Sequence, residues 1–118
     1  MRAMLNEKIR VVASAGRRDG ERILALAGVL NIHTIFDFQN AVREEASPVL
    51  IIDFGGVPFM DSAGLGAVVG AYVRAQKAQS RIVFAGMNER LKALVEMTRL
   101  GQMLPMYSTV AEAETALG

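Results

Sequence analysis

The sequence feature that most constrains the fold is the apolar run Val49–Ile52, which follows Pro48 and ends at Asp53. A strand with one solvated face alternates apolar and polar residues, whereas a parallel strand covered on both faces reads as a continuous run of Val, Ile and Leu. The run therefore predicts a buried strand in a largely parallel sheet. Because parallel strands need long crossover connections, it also predicts helices that cover the sheet.

The rest of the chain fits one α/β domain in which strands and helices alternate. Its 118 residues lie within the common domain size of about 100–150 residues, and no linker or internal repeat divides them. Strands are predicted over Ile9–Ala15, Arg22–Ala27, Val49–Ile52, Arg81–Gly86 and Leu104–Tyr107. Helices are predicted from a cap at Asn31 or Thr34 to about Ala46, from near Ser62, from Asn88 to Gly101, and from Thr109 to Leu117. The predicted order is β-β-α-β-α-β-α-β-α, a mostly parallel mixed sheet packed with helices, in a single domain over 1–118 with its core at about 8–117.

Two helices carry apolar residues at helical spacing, and these residues are predicted to face the sheet. In the first helix they are Ile32, Ile35, Phe36, Ala41 and Val42. In the second they are Leu65, Val68, Val69, Tyr72 and Val73, the clearest amphipathic stripe in the chain.

Composition excludes several classes of protein. The chain has no cysteine, which rules out disulfides and Cys-ligated metal centres, and its single histidine, His33, leaves little for an imidazole site. Thirteen Lys and Arg against twelve Asp and Glu give a net charge of +1, so no overall field steers the protein toward nucleic acid. We expect no cofactor and no nucleic-acid partner.

The sequence also indicates a cytoplasmic protein. The stretch from Leu50 to Arg74 contains Asp53, Asp61 and five glycines, and so does not resemble a membrane span. No long apolar run follows Met1–Lys8, so a secretory signal is not predicted.

The segment Phe59–Gly66 lies between the buried strand and the best helix, at the carboxyl end of a strand, where ligands and partners of α/β sheets usually bind. The residues alone favour a plain helix start, with Ser62 as N-cap and glycines for close packing. A hydroxyl there could also carry a phosphate, because a helix N-terminus stabilises an anion and Gly64 and Gly66 would leave backbone N–H groups open. Asp61 would oppose that anion.

This segment resembles the signature of the STAS domain family, the anti-sigma-factor antagonists, in which an Asp-Ser pair followed by Gly-Leu-Gly opens the second helix. The resemblance extends over nearly the whole chain, since the opening hairpin, Leu26-Ala27-Gly28, the strand to Asp53 and the region from Arg81 through Gly101 follow in the expected order.

The resemblance implies a switch rather than an enzyme. In such a switch, the unphosphorylated protein binds an anti-sigma factor that is also a serine kinase of the histidine-kinase-like ATPase type. Phosphorylation, here at Ser62, ends the interaction, and a serine phosphatase resets it. The implied partner-binding residues are Asn31, His33 and Thr34 of the first βα loop, Asp61, Ser62, Ala63, Gly64, Leu65 and Gly66, and the exposed side of the second helix. Asn31 stands where family members carry an acidic residue, and so offers no charge to a kinase.

Other interpretations remain open or fail on particular residues. A constitutive STAS subunit of a signalling scaffold or membrane transporter complex would keep Ser62 only as a helix cap. A small-molecule sensor would use the glycine-lined helix end. A receiver domain lacks its acidic pair, and a dinucleotide site lacks both the glycine spacing and the acid after the next strand. A serine hydrolase would need glycine where Met60 stands.

Overall fold

Five strands form one mixed sheet whose spatial order, β1-β2-β3-β4-β5, equals their order along the chain. They belong to a computed structural model that describes residues 8–118. The strands are β1 (Arg10–Ala15), β2 (Glu21–Ala27), β3 (Val49–Gly56), β4 (Arg81–Ala85) and β5 (Met106–Tyr107). The helices are α1 (Ile35–Glu44), α2 (Ser62–Lys77), α3 (Glu89–Glu96) and α4 (Val110–Leu117), with a 3-10 turn at Leu100–Met103. This order confirms the predicted α/β fold. The predicted absence of a secretory signal falls largely on residues 1–7, which lie outside the described part of the chain.

The pairing of the strands follows from their connections. The tight turn after β1 makes β1 and β2 an antiparallel hairpin, with Ser14 opposite Ile23. Every later neighbour is parallel, with Leu24 opposite Ile52 in the β2–β3 pair. The helices α1, α2 and α3 supply the crossovers that parallel pairing requires.

Strand β3 is buried on both faces, as its apolar run predicts. Leu50 and Ile52 point into the main core, which lies between the sheet and the helices α1, α2 and α3. Ile51 points to the opposite face, where it packs with Val83 and with Ala113 of α4. Full burial of one such side chain stabilises the fold by about 1.5–3 kcal/mol. The strand also runs on through Asp53 to Gly56, four residues beyond the predicted end at Ile52.

The prediction for the inner face of α1 is partly wrong. Phe38 is fully buried, whereas Ile32 and Phe36 are 54% and 68% exposed. Successive residues of an α-helix are about 100° apart around its axis, so Phe36 and Phe38, two positions apart, point to nearly opposite sides of the helix. The helix begins only at Ile35, because Asn31–Thr34 forms a separate turn, and it ends at Glu44.

The inner face of α2 is also rotated from the predicted stripe, toward small residues. Leu65 and Val68 are buried as predicted, whereas Val69 and Tyr72 are only partly buried. The remaining buried positions are Gly64, Ala67, Ala71 and Ala75. Small side chains let the helix lie close to the neighbouring backbone, which a stripe of large apolar residues would prevent.

In the last third of the chain, the third helix and the final strand are both shorter than predicted. Helix α3 ends at Glu96 rather than at Gly101, and β5 contains only Met106 and Tyr107. Gly101 instead lies in the 3-10 turn, where a Cβ would collide with the carbonyl oxygen of Val95. The glycine is therefore required by close backbone packing and does not end a helix.

Candidate functional site

The candidate site forms where two loops lie side by side at the carboxyl ends of β2 and β3. The backbone N–H of Leu30 donates to the carbonyl oxygen of Phe59 at 3.1 Å, and the N–H of Asp61 donates to the carbonyl of Leu30 at 3.2 Å. These bonds, with the parallel bridge between Leu30 and Met60, fix the β2–α1 loop against the segment that enters α2. The sequence-predicted residues of both loops therefore share one end of the sheet.

Asp61 ties the two loops together. Its Oδ1 accepts the backbone N–H of Gly64 at 2.8 Å, which caps α2, and its Oδ2 accepts the N–H of Ile32 at 3.2 Å. Ser62 is therefore not the N-cap that the residues alone suggested; Asp61 is the N-cap and Ser62 is the first helical residue. Because the Asp61 carboxylate caps α2, the neighbouring Ser62 hydroxyl has no capping role.

Ser62 is exposed at the start of α2. Within residues 8–118 its hydroxyl makes no hydrogen bond, and the backbone N–H groups of Ser62 and Ala63 have no acceptor. Loss of the hydroxyl hydrogen would thus break no hydrogen bond in the described part of the molecule. The hydroxyl has the accessibility that an incoming phosphoryl donor requires.

The two glycines of the signature have different environments. Gly64 is buried, its N–H is bound to Asp61, and an added Cβ would collide with the carbonyl oxygen of Leu30. The expectation of an open N–H at this position is therefore wrong. Gly66 is exposed, and a Cβ there would meet nothing within 4 Å. Close packing explains Gly64, and nothing in the described structure requires Gly66.

The β2–α1 loop is held by its own polar side chains. Asn31 Oδ1 accepts the backbone N–H of His33 at 2.9 Å, and the Thr34 hydroxyl donates to the carbonyl of Val29 at 2.9 Å. Thr34 is only 5% exposed, so its side chain supports the loop and is not available to a partner. Asn31 is half-buried and His33 is exposed.

The predicted contact surface is therefore narrower than the sequence implied. Thr34, Gly64 and Leu65 lie below the surface and hold the loop and helix in place. The predicted residues that reach the surface are Asn31, His33, Asp61, Ser62, Ala63 and Gly66.

Sequence reasoning missed three exposed apolar side chains around this site. Ile32 and Phe36 belong to the β2–α1 side, where the helical pattern had placed them in the core. Phe59 is on the other loop, and the Arg90 guanidinium lies 5.9 Å from the centre of its ring. The one available signal was the pair Phe36 and Phe38, since two aromatics at this spacing cannot both face inward.

Among residues 8–118, no three His, Asp or Glu side chains come together in a group that could hold a metal ion. Over the same range, none of the helices combines the length and apolar character needed to cross a membrane.

The sequence and the fold of this chain are both similar to those of known proteins. A family model described as STAS domain matches residues 12–113. The anti-sigma-B factor antagonist of Listeria monocytogenes is 32% identical over 99 residues, which cover 80% of this chain and 87% of that protein. The fold is similar to that of an anti-sigma factor antagonist from Mycobacterium paratuberculosis, with a TM-score of 0.79, 22% identity and 92% of each chain covered. It is also similar to that of the Bacillus cell fate determinant SpoIIAA in its phosphorylated form, with a TM-score of 0.67, 20% identity, and 92% of this chain and 100% of that chain covered.

Proposed function

The chain belongs to the STAS domain family, and from that membership we propose that the protein is an anti-sigma-factor antagonist switched by phosphorylation of Ser62. In this proposal the unphosphorylated form binds an anti-sigma factor that is also a serine kinase of the histidine-kinase-like ATPase type. Transfer of a phosphoryl group to Ser62 ends the interaction, and a serine phosphatase removes the group. The antagonist role is supported by the relative from Listeria and the switch by the exposed serine.

The observation that carries the proposal is the exposed hydroxyl of Ser62, which makes no hydrogen bond within residues 8–118 and lies beside a cap made by another residue. Asp61 satisfies the Gly64 N–H, so the Ser62 hydroxyl is not needed to hold α2. A phosphate can therefore be added without loss of a stabilising bond. Were Ser62 the cap, its modification would disturb the helix start.

The charge of the phosphate is sufficient to end binding. It adds about −1.5 to −2 charges at pH 7. Against a partner carboxylate about 6 Å away, the repulsion would be about 1–5 kcal/mol for effective dielectric constants of 80 to 20. Since each 1.4 kcal/mol is about tenfold in affinity, the change spans roughly one to several decades. A large conformational change is not needed.

The neighbours of Ser62 also bear on the switch. Asp61 is adjacent in sequence and already carries a negative charge at this surface, so a phosphate makes the local field more strongly negative. Asn31, on the facing loop, is neutral and uses its side chain to hold His33. Phosphorylation of Ser62 would therefore add about −1.5 to −2 charges beside the Asp61 carboxylate.

The proposal is tested by the affinity of Ser62 variants for purified histidine-kinase-type anti-sigma factors of the source organism. Ser62→Ala should bind as tightly as the wild type, whereas Ser62→Asp and the phosphorylated protein should lose binding while remaining folded. Ser14→Ala, at an exposed serine on β1, is the matched control and should behave as the wild type. Equal binding by the alanine and aspartate variants would contradict the switch and favour a constitutive subunit.

A further inference from the structure

We infer that β5 and α4 open together as one unit, held closed by a contact between Glu114 and the β1–β2 turn, while the rest of the fold stays intact. We call residues 106–118 the β5–α4 unit. The inference goes beyond the proposed function, because α4 lies on the other face of the sheet from the helix that Ser62 begins. It gives the fold a conformational device that is separate from the phosphorylation switch.

The core beneath α4 is small. Within residues 8–118, Ala113 is the one residue of α4 that is fully buried, and it packs with Ile51 and Val83 of the sheet. The unit adds three partly buried side chains to the same cluster, those of Tyr107, Val110 and Leu117. The single methyl group of Ala113 buries far less apolar surface than Phe38, which anchors α1 in the main core.

The backbone pairing of the unit is also slight. Strand β5 contains two residues, and β4 donates to this segment from the N–H of Phe84 to the carbonyl of Pro105 at 2.9 Å and from the N–H of Gly86 to the carbonyl of Tyr107 at 3.1 Å. Helix α4 has eight residues, whereas isolated helices shorter than about 12–15 residues are marginal in water. Because both elements depend on the same small cluster, we expect them to leave the sheet together.

A polar contact fixes α4 to a distant part of the sheet. Glu114 Oε2 accepts the backbone N–H of Arg17 at 2.8 Å, and the Arg17 guanidinium lies 3.7 Å from Glu114 Oε1. Arg17 belongs to the β1–β2 turn, and β1 and β2 lie at the opposite side of the sheet from β5. If the unit opens as a whole, loss of this contact will therefore release β5 as well as α4.

Opening would uncover a strip of the sheet and free particular amides. Ile51 and Val83 are 0% and 1% exposed when α4 covers them. The N–H groups of Phe84 and Gly86 would lose their acceptors in the unit, and the N–H of Ala113 would lose the Thr109 carbonyl that it bonds at 3.1 Å. These three amides, which we call the reporter amides, mark the open state.

Amide hydrogen exchange of the whole chain, followed by NMR at a series of low urea concentrations, tests the inference. In the wild type the reporter amides should share one opening equilibrium and be protected about tenfold or more weakly than the amide of Ile52 in the central strand β3. Their exchange should also depend less on urea than that of Ile52, because opening exposes less surface than global unfolding does.

Glu114→Ala should speed the exchange of all three reporter amides by about fivefold or more. The β1–β2 turn keeps its own bond in this variant, because the Arg17 N–H also donates to Glu21 at 2.8 Å. The matched control is Glu45→Ala, which removes an ion pair of 2.8 Å between Arg22 of β2 and the residue that follows α1. That pair stays closed in the open state, so the control should leave the reporter amides unchanged.

Three results would overturn the inference. Reporter amides as strongly protected as Ile52 in the wild type would show that the unit opens only when the whole protein unfolds. A response of Ala113 alone to Glu114→Ala would show that α4 frays without β5. Reporter amides that do not respond to Glu114→Ala, or that respond equally to Glu45→Ala, would show that Glu114 does not hold the unit closed. None of these measurements involves an anti-sigma factor, so the proposed function stands or falls separately.

Discussion

Asp61 and Ile32 are joined across two loops by a hydrogen bond of 3.2 Å, from the backbone N–H of Ile32 to Asp61 Oδ2. The second carboxylate oxygen accepts the N–H of Gly64, so one side chain both caps α2 and fixes the β2–α1 loop beside it. The relative position of the two loops at the proposed contact surface therefore depends on Asp61.

Replacement of Asp61 should destabilise the protein through both of these bonds. Loss of a helix cap costs about 0.5–2 kcal/mol and loss of a second hydrogen bond about 0.5–1.5 kcal/mol, so Asp61→Ala should lower the free energy of unfolding by about 1–3.5 kcal/mol. Asp61→Asn retains one acceptor oxygen and should lose less. Urea unfolding at pH 7 measures both variants. If Asp61→Ala is as stable as the wild type, the two hydrogen bonds that Asp61 accepts contribute nothing to stability.

The two signature glycines should respond in opposite directions to the same substitution. Gly64→Ala places a Cβ against the Leu30 carbonyl, and overpacking of this kind costs about 1–3 kcal/mol. Gly66→Ala meets no atom within 4 Å and should gain up to about 1 kcal/mol, because alanine is the better helix former. Thermal unfolding of the pair provides the comparison. An equal loss of stability in both variants would contradict the finding that Gly64 is closely packed and Gly66 is not.

The two aromatics of α1 should differ in the same way. Phe38→Ala opens a cavity in the main core and should cost about 3–5 kcal/mol. Phe36→Ala removes an exposed ring and should change stability by no more than about 0.5 kcal/mol. Denaturant titration of the two variants checks the rotation of α1. A large loss from Phe36→Ala would place that residue inside, as the helical spacing first suggested.

Acid should weaken the contact between the β1–β2 turn and α4. The Glu21 side chain, the backbone N–H of Arg17 at 2.8 Å and the charges of Arg17 and Arg18 together lower the pKa of Glu114 below its ordinary value of 4.5, although burial of the carboxyl opposes them. A lowered pKa in the folded state means that Glu114 stabilises the protein above pH 4.5 and that this contribution is lost as the pH falls below it.

Glu114→Gln removes the titrating group and should therefore reduce the acid sensitivity of the free energy of unfolding below pH 4.5. Thr115→Ala, at an exposed neighbour on α4, is the control and should keep the wild-type pH dependence. Urea unfolding across this range measures the effect. If wild type and Glu114→Gln lose stability in parallel, Glu114 does not couple folding to protons.

The fold could be predicted from the sequence where local chemistry decides the structure. The continuous apolar run of β3 identified a strand buried on both faces. Asn88 caps α3 by accepting the Leu91 N–H at 2.9 Å, and Thr109 caps α4 by accepting the Glu112 N–H at 3.0 Å, as their positions predicted. These side chains act within three residues of themselves, so the sequence contains the whole interaction.

The start of α2 and the rotation of α1 could not be read in this way, because distant contacts decide them. Asp61 and Ser62 are both good N-cap residues, and the bond from the Asp61 N–H to the Leu30 carbonyl holds residue 61 in an extended conformation outside the helix. In α1 the buried side chain is Phe38, which packs in the main core, and the turn before the helix is held by the bond from the Thr34 hydroxyl to the Val29 carbonyl. The sequence therefore did not distinguish Asp61 from Ser62 as the N-cap, or Phe36 from Phe38 as the buried aromatic, because contacts between distant residues decide both.

The most direct test of the central claim is the mass of the protein after incubation with a cognate histidine-kinase-type anti-sigma factor and ATP, with the modified residue located by peptide fragmentation. The proposed switch predicts a single added phosphate on Ser62 in the wild type and in Ser14→Ala, and none in Ser62→Ala. Phosphate on another residue, or an unmodified wild type beside a kinase that phosphorylates a known antagonist, would contradict it.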